Sequence, residues 1–304
     1  MAKILIIGAG AMGTAFAYPC IDNNHEVGII GTHLENNLIE EVNKRNFHNG
    51  LNLHIIKEIK FFKHNSIEKV FKTKPDLIVL GVNSKGIEWI ADELNKISYD
   101  KKLPPLLMLT KGLSIYENKY ELLVDKLIRL LSLKGIKNVN LSAVGGPCLA
   151  AGLANRVQSG VVIANEDSKT ANKLKKLLTT NYYRISTSTD IIGVEVCAAI
   201  KNIFSMAIGA AQGLNKNNNK DNTYLNTSAA LVRQSIYEME IVVDFLKGKK
   251  ETVNGLAGLG DLYVSAAGGR NSKMGALIGE GIIFSEAKKN KMPNVTVEGA
   301  ELIF

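Results

Sequence analysis

A lysine inside an apolar helix is the first residue of this sequence that poses a chemical question. The run Ile191 to Ala211 is apolar nearly all the way round, which marks a buried helix, and Lys201 lies within it. Three and four residues to either side stand Cys197, Ala198, Phe204 and Ser205, so the helix itself offers the ammonium no carboxylate. A buried ammonium either gives up its proton readily or takes a partner from elsewhere in the fold, and both outcomes suit a proton donor. The competing reading is a lysine that snorkels to the surface or closes a structural ion pair. At helical spacing Lys201, Ser205 and Gln212 share one stripe with Asn202 beside it, a polar seam in an apolar rod.

Two further segments concentrate charge among glycines. Gly255-Leu-Ala-Gly-Leu-Gly-Asp261-Leu is followed by Ser265-Ala-Ala-Gly-Gly-Arg270-Asn271, a pattern for backbone that must approach something closely. Arg270 has the fork to clamp a phosphate, and Asp261 can orient Lys201 or a water; a glycine-rich linker carrying a solvated salt bridge is the plainer alternative. Lys111 ends a strand-like run as Thr110-Lys111-Gly112, where open α/β sheets bind ligands, although a solvated loop lysine fits the same position. Gly8-Ala-Gly10-Ala-Met-Gly13 follows the first strand and opens the first helix, the context in which G-x-G-x-x-G denotes dinucleotide binding. Gly8 permits the tight turn, Gly10 the approach to a pyrophosphate, and Gly13 the packing of helix on strand. The acidic residue expected about 20 residues further on is not evident: the second strand ends Gly31-Thr32-His33, and Glu35 comes late. No arginine stands there for a 2′-phosphate, so NAD and NADP both remain open.

These residues need a frame. Residues 3–8, 26–31, 76–82, 105–110, 139–146 and 159–165 read as short apolar strands of a sheet buried on both faces. Helical patterns lie between several of them at 13–24, 34–46, 84–98, 118–134 and 168–180, and this alternation predicts a Rossmann-like, doubly wound, mostly parallel α/β domain over residues 1–187. Beyond Thr187 the strand signals fade. Helices over 189–214 and 223–247, joined by the polar loop Asn215 to Asn222 and ended by Gly248, predict an all-helical domain over 188–304.

Composition narrows the function classes. The 304 residues are 46% hydrophobic and 22% charged, an ordinary globular balance. The net charge of +8 favours an anionic ligand, yet no basic stripe interleaved with aromatics suggests nucleic acid. Cys20, Cys148 and Cys197 are far apart and form no CxxC, which points to a reducing compartment. No signal-peptide pattern precedes the first strand, and Glu195 and Lys201 interrupt the one long apolar run, so a cytoplasmic protein without a membrane span is expected. No metal-ligand spacing is present.

Assembled in order, these segments give the chain a resemblance to the NAD(P)-dependent glycerol-3-phosphate dehydrogenases along essentially its whole length. The matching pieces are IGAGAMGTAFA at 7–17, TKGL at 110–113, GGPCLA at 145–150, GVEVCAAIKNI at 193–203, GLAGLGDL at 255–262, GRN at 269–271 and VEG at 297–299. The resemblance implies reduction of a small phosphorylated ketone, dihydroxyacetone phosphate in the family, by hydride from NAD(P)H. It implies Lys201 as general acid, with Lys111 touching substrate and cofactor and Asp261 supporting Lys201. Gly146, Cys148, Asn202, Arg270 and Asn271 would complete the substrate side. Ala11, Met12, Thr32, Ala150, Arg270 and Glu298 would join the three fingerprint glycines on the cofactor. A homodimer and a further helical stretch past Phe304 also follow from the resemblance.

The sequence departs from the family pattern at Cys148-Leu149, at Asn83-Ser84, in the loop 46–50 and at Ser265-Ala266, which leaves the sugar phosphate open. Two other readings stand beside it. The opening also resembles ketopantoate reductases, which leave TKGL and GLGDL unexplained; a non-catalytic dinucleotide sensor would not need Lys111, Lys201 and Asp261 together.

Overall fold

The computed structural model describes residues 1–98, 100–216, 224–293 and 295–301. Its contacts divide the chain into two units: Met1–Val144 with Cys148–Ile191, and Gly145–Pro147 with the residues from Ile192 onward.

In the first unit the apolar runs become strands β1 (Lys3–Ile7), β2 (Glu26–Ile30), β3 (Phe47–His48), β4 (Leu53–His54), β5 (Lys60–Phe62), β6 (Leu77–Leu80) and β7 (Leu106–Met108). They continue as β8 (Leu113–Tyr116), β9 (Lys119–Leu122), β10 (Leu141–Gly145), β11 (Ser159–Ala164) and β12 (Tyr183–Ser188). Eight of these form one sheet in the order β12-β11-β10-β7-β6-β1-β2-β5. Pairs β1–β2, β1–β6, β6–β7, β7–β10, β2–β5 and β11–β12 run parallel. Every residue of β6 and β7 is buried, as it must be where helices cover both faces. Because β1, β6 and β7 are parallel neighbours, the glycine turn after β1 and Lys111 after β7 lie along the same edge of the sheet.

The helices of this unit are α1 (Ala11–Asp22), α2 (Asn36–Arg45), α3 (Ile67–Phe71), α4 (Ile87–Ile97), α5 (Leu123–Leu133), α6 (Ala150–Ala154) and α7 (Ser168–Leu178). The predicted helix over 118–134 is shorter than expected. Its first part is β9, which pairs antiparallel with β8 around Glu117 and Asn118, both left-handed at φ 49° and 59°. Two consecutive left-handed residues make the tight hairpin turn whose twist matches its strands, and that local preference overrides the helical pattern. Strands β5 and β12 escape the apolar-run criterion. β12 alternates buried Tyr183 and Ile185 with exposed Arg184 and Ser186, as an outermost strand of the sheet can.

From Ile192 onward the described residues of the second unit form helices and the turns between them. α8 (Ile191–Lys216) and α9 (Tyr224–Phe245) are its long helices, and the short α10 (Lys250–Val253) leads through a π-helical turn at Leu256–Gly260 into α11 (Asp261–Gly268) and α12 (Arg270–Gly279). The helices α13 (Phe284–Glu286) and α14 (Glu298–Glu301) follow. Glycines let α8 and α12 touch backbone to backbone: a Cβ on Gly209 would lie 2.1 Å from the Ser272 carbonyl oxygen, and one on Gly275 would lie 1.9 Å from that of Met206. Of the glycines around Asp261 and Arg270, two press on nearby backbone: a Cβ on Gly258 would lie 2.1 Å from the Val253 carbonyl oxygen, and one on Gly269 would lie 2.4 Å from that of Ser265. α8 is long and apolar enough to cross a membrane by composition, but most of it is buried within the protein.

Of the expected loop Asn215 to Asn222, residues 215 and 216 continue α8, and the remainder lies outside the described residues. The end of α9 also differs from expectation. Lys247, at φ 72°, is the left-handed residue, while the Gly248 N–H donates to the Val243 carbonyl at 2.8 Å. Gly248 is required for a different reason: a Cβ there would lie 2.8 Å from the Gly193 nitrogen.

Candidate active site

The lysine left without a partner by its own helix finds one on α11. Lys201 Nζ donates to Asp261 Oδ1 and, at 2.8 Å, to Ser265 Oγ. The side chains of Lys201 and Asp261 are only 8% and 4% exposed, so neither charge is discharged into solvent. Asp261 opens α11 directly after the π turn, and Ser265 stands four residues later on the same face. Wide turns of this kind recur at functional sites because they re-aim the side chains that follow. Ser265 was not among the expected site residues, although its i, i+4 spacing from Asp261 was the available signal.

A second cluster in the same unit gathers around the segment 297–299. Arg270 grips Glu298 with two guanidinium nitrogens, Nε to Oε2 at 3.0 Å and Nη2 to Oε1. Asn271 is buried; its side-chain oxygen accepts from the Gly299 N–H at 2.8 Å, and its nitrogen reaches Glu298 Oε2 at 3.5 Å. Asn202, half-buried on α8, presents its carbonyl to Gly299, where a Cβ would lie 2.6 Å away. Arg270, Asn271, Glu298 and Asn202 are thus brought together. Within this cluster Asn271 positions the 297–299 segment, and Glu298 occupies part of the fork expected to hold a phosphate. Gly146 takes φ +118°, and Gly145 beside it is pressed to within 2.7 Å of Val194 Cγ1 by its would-be Cβ, which ties residues 145–147 to the helical unit.

In the first unit the fingerprint glycines separate by role. Gly8 has φ +113°, and its Cβ would lie 2.7 Å from the Gly81 backbone; a Cβ on Gly13 would lie 2.2 Å from the Gly8 oxygen. Gly10 is different: its Cβ would meet only Glu35 Oε1, at 3.6 Å. Its open side is the face that a pyrophosphate can approach, and the first-turn N–H groups at Ala11 and Met12 have no intrahelical acceptor. The turn therefore fits a dinucleotide. Ala150 opens α6, which packs on α1, and Cys148 is half-buried against the same core.

Glu35, judged late in the sequence, is the acid at this turn. Its Oε2 accepts from the Ala9 N–H at 3.0 Å and the Thr32 N–H at 2.7 Å. His48 holds the other side of Ala9. Its Nδ1 accepts from the Leu51 N–H, so Nε2 carries the proton and donates to the Ala9 carbonyl at 2.9 Å. Neither residue was expected at the site. Their contacts span 26 and 39 positions, and only the length of α1 and the path of the 46–54 loop bring them home.

Lys111 is half-buried between two fixed neighbours. Thr110 Oγ1 donates to the Val82 carbonyl at 2.7 Å, and Gly112, at φ +143°, packs beside Ser84.

Comparison with known proteins places these features in one family. Residues 3–171 match the family model described as NAD-dependent glycerol-3-phosphate dehydrogenase N-terminus, and residues 190–303 match that of the C-terminus. The chain is 33% identical over 299 residues to a glycerol-3-phosphate dehydrogenase [NAD(P)+] of Phytoplasma mali, covering 96% of this chain and 83% of the relative. It is 30% identical over 284 residues to an NADP(+)-dependent glycerol-3-phosphate dehydrogenase of Archaeoglobus fulgidus, covering 93% and 82%. The crystal structure of glycerol-3-phosphate dehydrogenase from Coxiella burnetii superposes with a TM-score of 0.84 at 25% identity, covering 99% of this chain and 86% of that one.

Proposed function

The chain belongs to the NAD-dependent glycerol-3-phosphate dehydrogenase family, and we propose that Lys201 is the proton donor with which it interconverts dihydroxyacetone phosphate and sn-glycerol 3-phosphate. When bound, a nicotinamide dinucleotide supplies the hydride. The observation that carries the assignment is the buried Lys201, held by Asp261 and Ser265. As hydride reaches the carbonyl carbon, negative charge grows on the ketone oxygen, and the Lys201 ammonium stabilises that charge and passes a proton to it. Asp261 aims the amine, and Ser265 accepts from another of its N–H groups. In the reverse direction Lys201 takes the alcohol proton as hydride leaves.

Lys111 contributes a second cation to substrate and cofactor. Arg270, Asn271, Asn202, Gly146 and Cys148 form the substrate side in this reading. Gly8, Gly10, Gly13, Ala11, Met12, Thr32, Ala150 and Glu298, with Arg270, hold the dinucleotide. The glycine turn supports this because its open face and first-turn N–H groups suit a pyrophosphate.

The protein acts in the cytoplasm as a homodimer in this account. Three free cysteines suit a reducing compartment. Tyr237, Ile241 and Phe245, spaced four apart on α9, are 49%, 51% and 72% exposed, an apolar stripe that a second copy would cover. Light scattering on the purified chain tests the dimer. A steady-state assay of NADH and NADPH oxidation tests the reaction. Turnover with dihydroxyacetone phosphate is expected, and turnover with ketopantoate alone would overturn the substrate.

A further inference from the structure

The hydrogen-bond ladder that orders this end of the sheet stops before it reaches Lys111. Strands β6 and β7 pair from Ile78 with Leu106 to Leu80 with Met108, and the last backbone bond runs from the Leu109 N–H to the Leu80 carbonyl at 3.0 Å. No strand or helix spans residues 109–112, so the ladder leaves open the direction in which Lys111 departs. One side chain takes over there. Thr110 is 8% exposed, and its Oγ1 donates across to the Val82 carbonyl at 2.7 Å. We propose that Thr110 is a positioning residue for the reaction, whose hydroxyl sets Lys111 in register with the glycine turn that suits the dinucleotide. The proposal rests on the reading of Lys111 as a group that meets substrate and cofactor.

Threonine suits this task. Its branched Cβ leaves the side chain few rotamers, so a bond made at Oγ1 constrains the backbone instead of swivelling with the side chain. The acceptor is constrained as well. Gly81, just before Val82, donates its N–H to the Ile7 carbonyl at 2.8 Å, and a Cβ built on Gly8 would lie 2.7 Å from the Gly81 backbone. Just after Val82, Asn83 Oδ1 accepts from the Gly86 N–H at 3.0 Å and caps the turn that leads into α4. Short contacts thus run from the Gly8 turn through Gly81 and Val82 to Thr110, and Lys111 is the next residue. On its other side, the would-be Cβ of Gly112 lies 3.5 Å from Ser84 Cβ, so residues 110 and 112 are both referred to the 82–84 segment.

A purely structural role predicts something different. If the hydroxyl only satisfied the Val82 carbonyl, its loss would lower stability and leave the chemistry of the folded protein intact. A lysine displaced by about 1 Å from its productive position loses rate in protein that is fully folded.

The experiment compares the full chain as wild type, Thr110→Val, Thr110→Ser, Lys111→Met and the Thr110→Val/Lys111→Met double variant. Rates are referred to the concentration of dinucleotide-binding sites, so unfolded protein does not count. Thr110→Val keeps the shape and removes the donor; it should lower kcat/KM for dihydroxyacetone phosphate by about tenfold or more, while Thr110→Ser, which keeps the donor, stays within about threefold of the wild type. The second readout needs no turnover: sn-glycerol 3-phosphate is titrated onto each protein saturated with NADH or NADPH, whichever binds more tightly. Thr110→Val should weaken this binding by about threefold or more in the wild-type background and by less than about 1.5-fold in the Lys111→Met background, because the hydroxyl acts through that lysine. Near wild-type kcat/KM in Thr110→Val, a Thr110→Ser protein as impaired as Thr110→Val, or the same effect of Thr110→Val on affinity with and without Lys111 would overturn the positioning role. Unchanged turnover and affinity in Lys111→Met would overturn the reading of Lys111 itself, and the proposal with it.

Discussion

Lys201 and Asp261, sixty positions apart, form an ion pair whose side chains are almost wholly removed from water. Such a pair is poor material for stability, since desolvating both charges offsets most of their attraction; removing one partner, however, strands the other. A proton-transfer role would give this buried pair a use that packing alone does not.

The energetics can be separated from the chemistry by a double-mutant cycle. Asp261→Leu should lower the unfolding free energy by about 3–5 kcal/mol, because buried Lys201 loses the Asp261 charge. Lys201→Met combined with Asp261→Leu should recover most of that loss, as apolar replacements of buried pairs do, and should still be inactive. Chemical denaturation of the wild type, Lys201→Met, Asp261→Leu and the double variant gives the coupling energy.

The fingerprint glycines predict different failures at neighbouring positions. Gly13→Ala drives a methyl into the Gly8 carbonyl oxygen and should destabilise the chain by about 1–3 kcal/mol or more. Gly10→Ala meets only Glu35 Oε1 and should melt within about 2 °C of the wild type, a surface-sized effect on stability, while dinucleotide affinity falls. Thermal melts and dinucleotide titrations on both variants check the split.

Much of this frame was legible from residue pattern. Apolar runs such as KILII and LIVL read as buried strands, and a lysine amid Cys197, Ala198, Phe204 and Ser205 read either as a costly buried ammonium or as one that snorkels or pairs. What escaped was set by geometry across long stretches of chain. Glu35 reaches the glycine turn because α1 and β2 return the chain to its start, and His48 because the short β3–β4 hairpin sets it beside Ala9. The glycines through which α8 and α12 touch stand inside helical patterns, which do not reveal that their neighbour is another helix backbone. The hairpin of β8 and β9 was hidden because two left-handed turn residues, Glu117 and Asn118, carry no glycine to announce them.

Stability at low pH should depend on a cluster beside α1. Burial pushes the Asp22 carboxyl up, but hydrogen bonds from both nitrogens of the Arg156 fork, at 2.7 and 2.8 Å, and from Tyr182 at 2.6 Å outweigh it and hold the carboxyl below its usual range. A carboxyl depressed in the folded chain contributes stability above its unfolded value of about 3.9 and loses it as pH falls through the lower folded value. Asp22→Asn should therefore cost about 1 kcal/mol or less at pH 7, the scale of a partly exposed pair, with the difference shrinking as pH falls below about 3.9. Denaturation midpoints of the two proteins from pH 7 down to pH 3 check this.

The three cysteines should differ in reactivity. Cys20 and Cys197 are fully buried, and burial raises the Cys20 thiol far above its ordinary range, whereas Cys148 is partly exposed. Native protein should yield one thiol per chain to an aromatic disulfide reagent, and all three after denaturation. Cys148→Ser should abolish the native signal.

The proton-donor assignment is tested most directly by the kinetics of Lys201→Ala, with its folding verified by circular dichroism and dinucleotide affinity measured in parallel. The account predicts that kcat for dihydroxyacetone phosphate reduction falls by about 10²–10⁴, the worth of a positioned acid, while the dissociation constant of the dinucleotide stays within about threefold. A folded Lys201→Ala protein that turns over at close to the wild-type rate would contradict it.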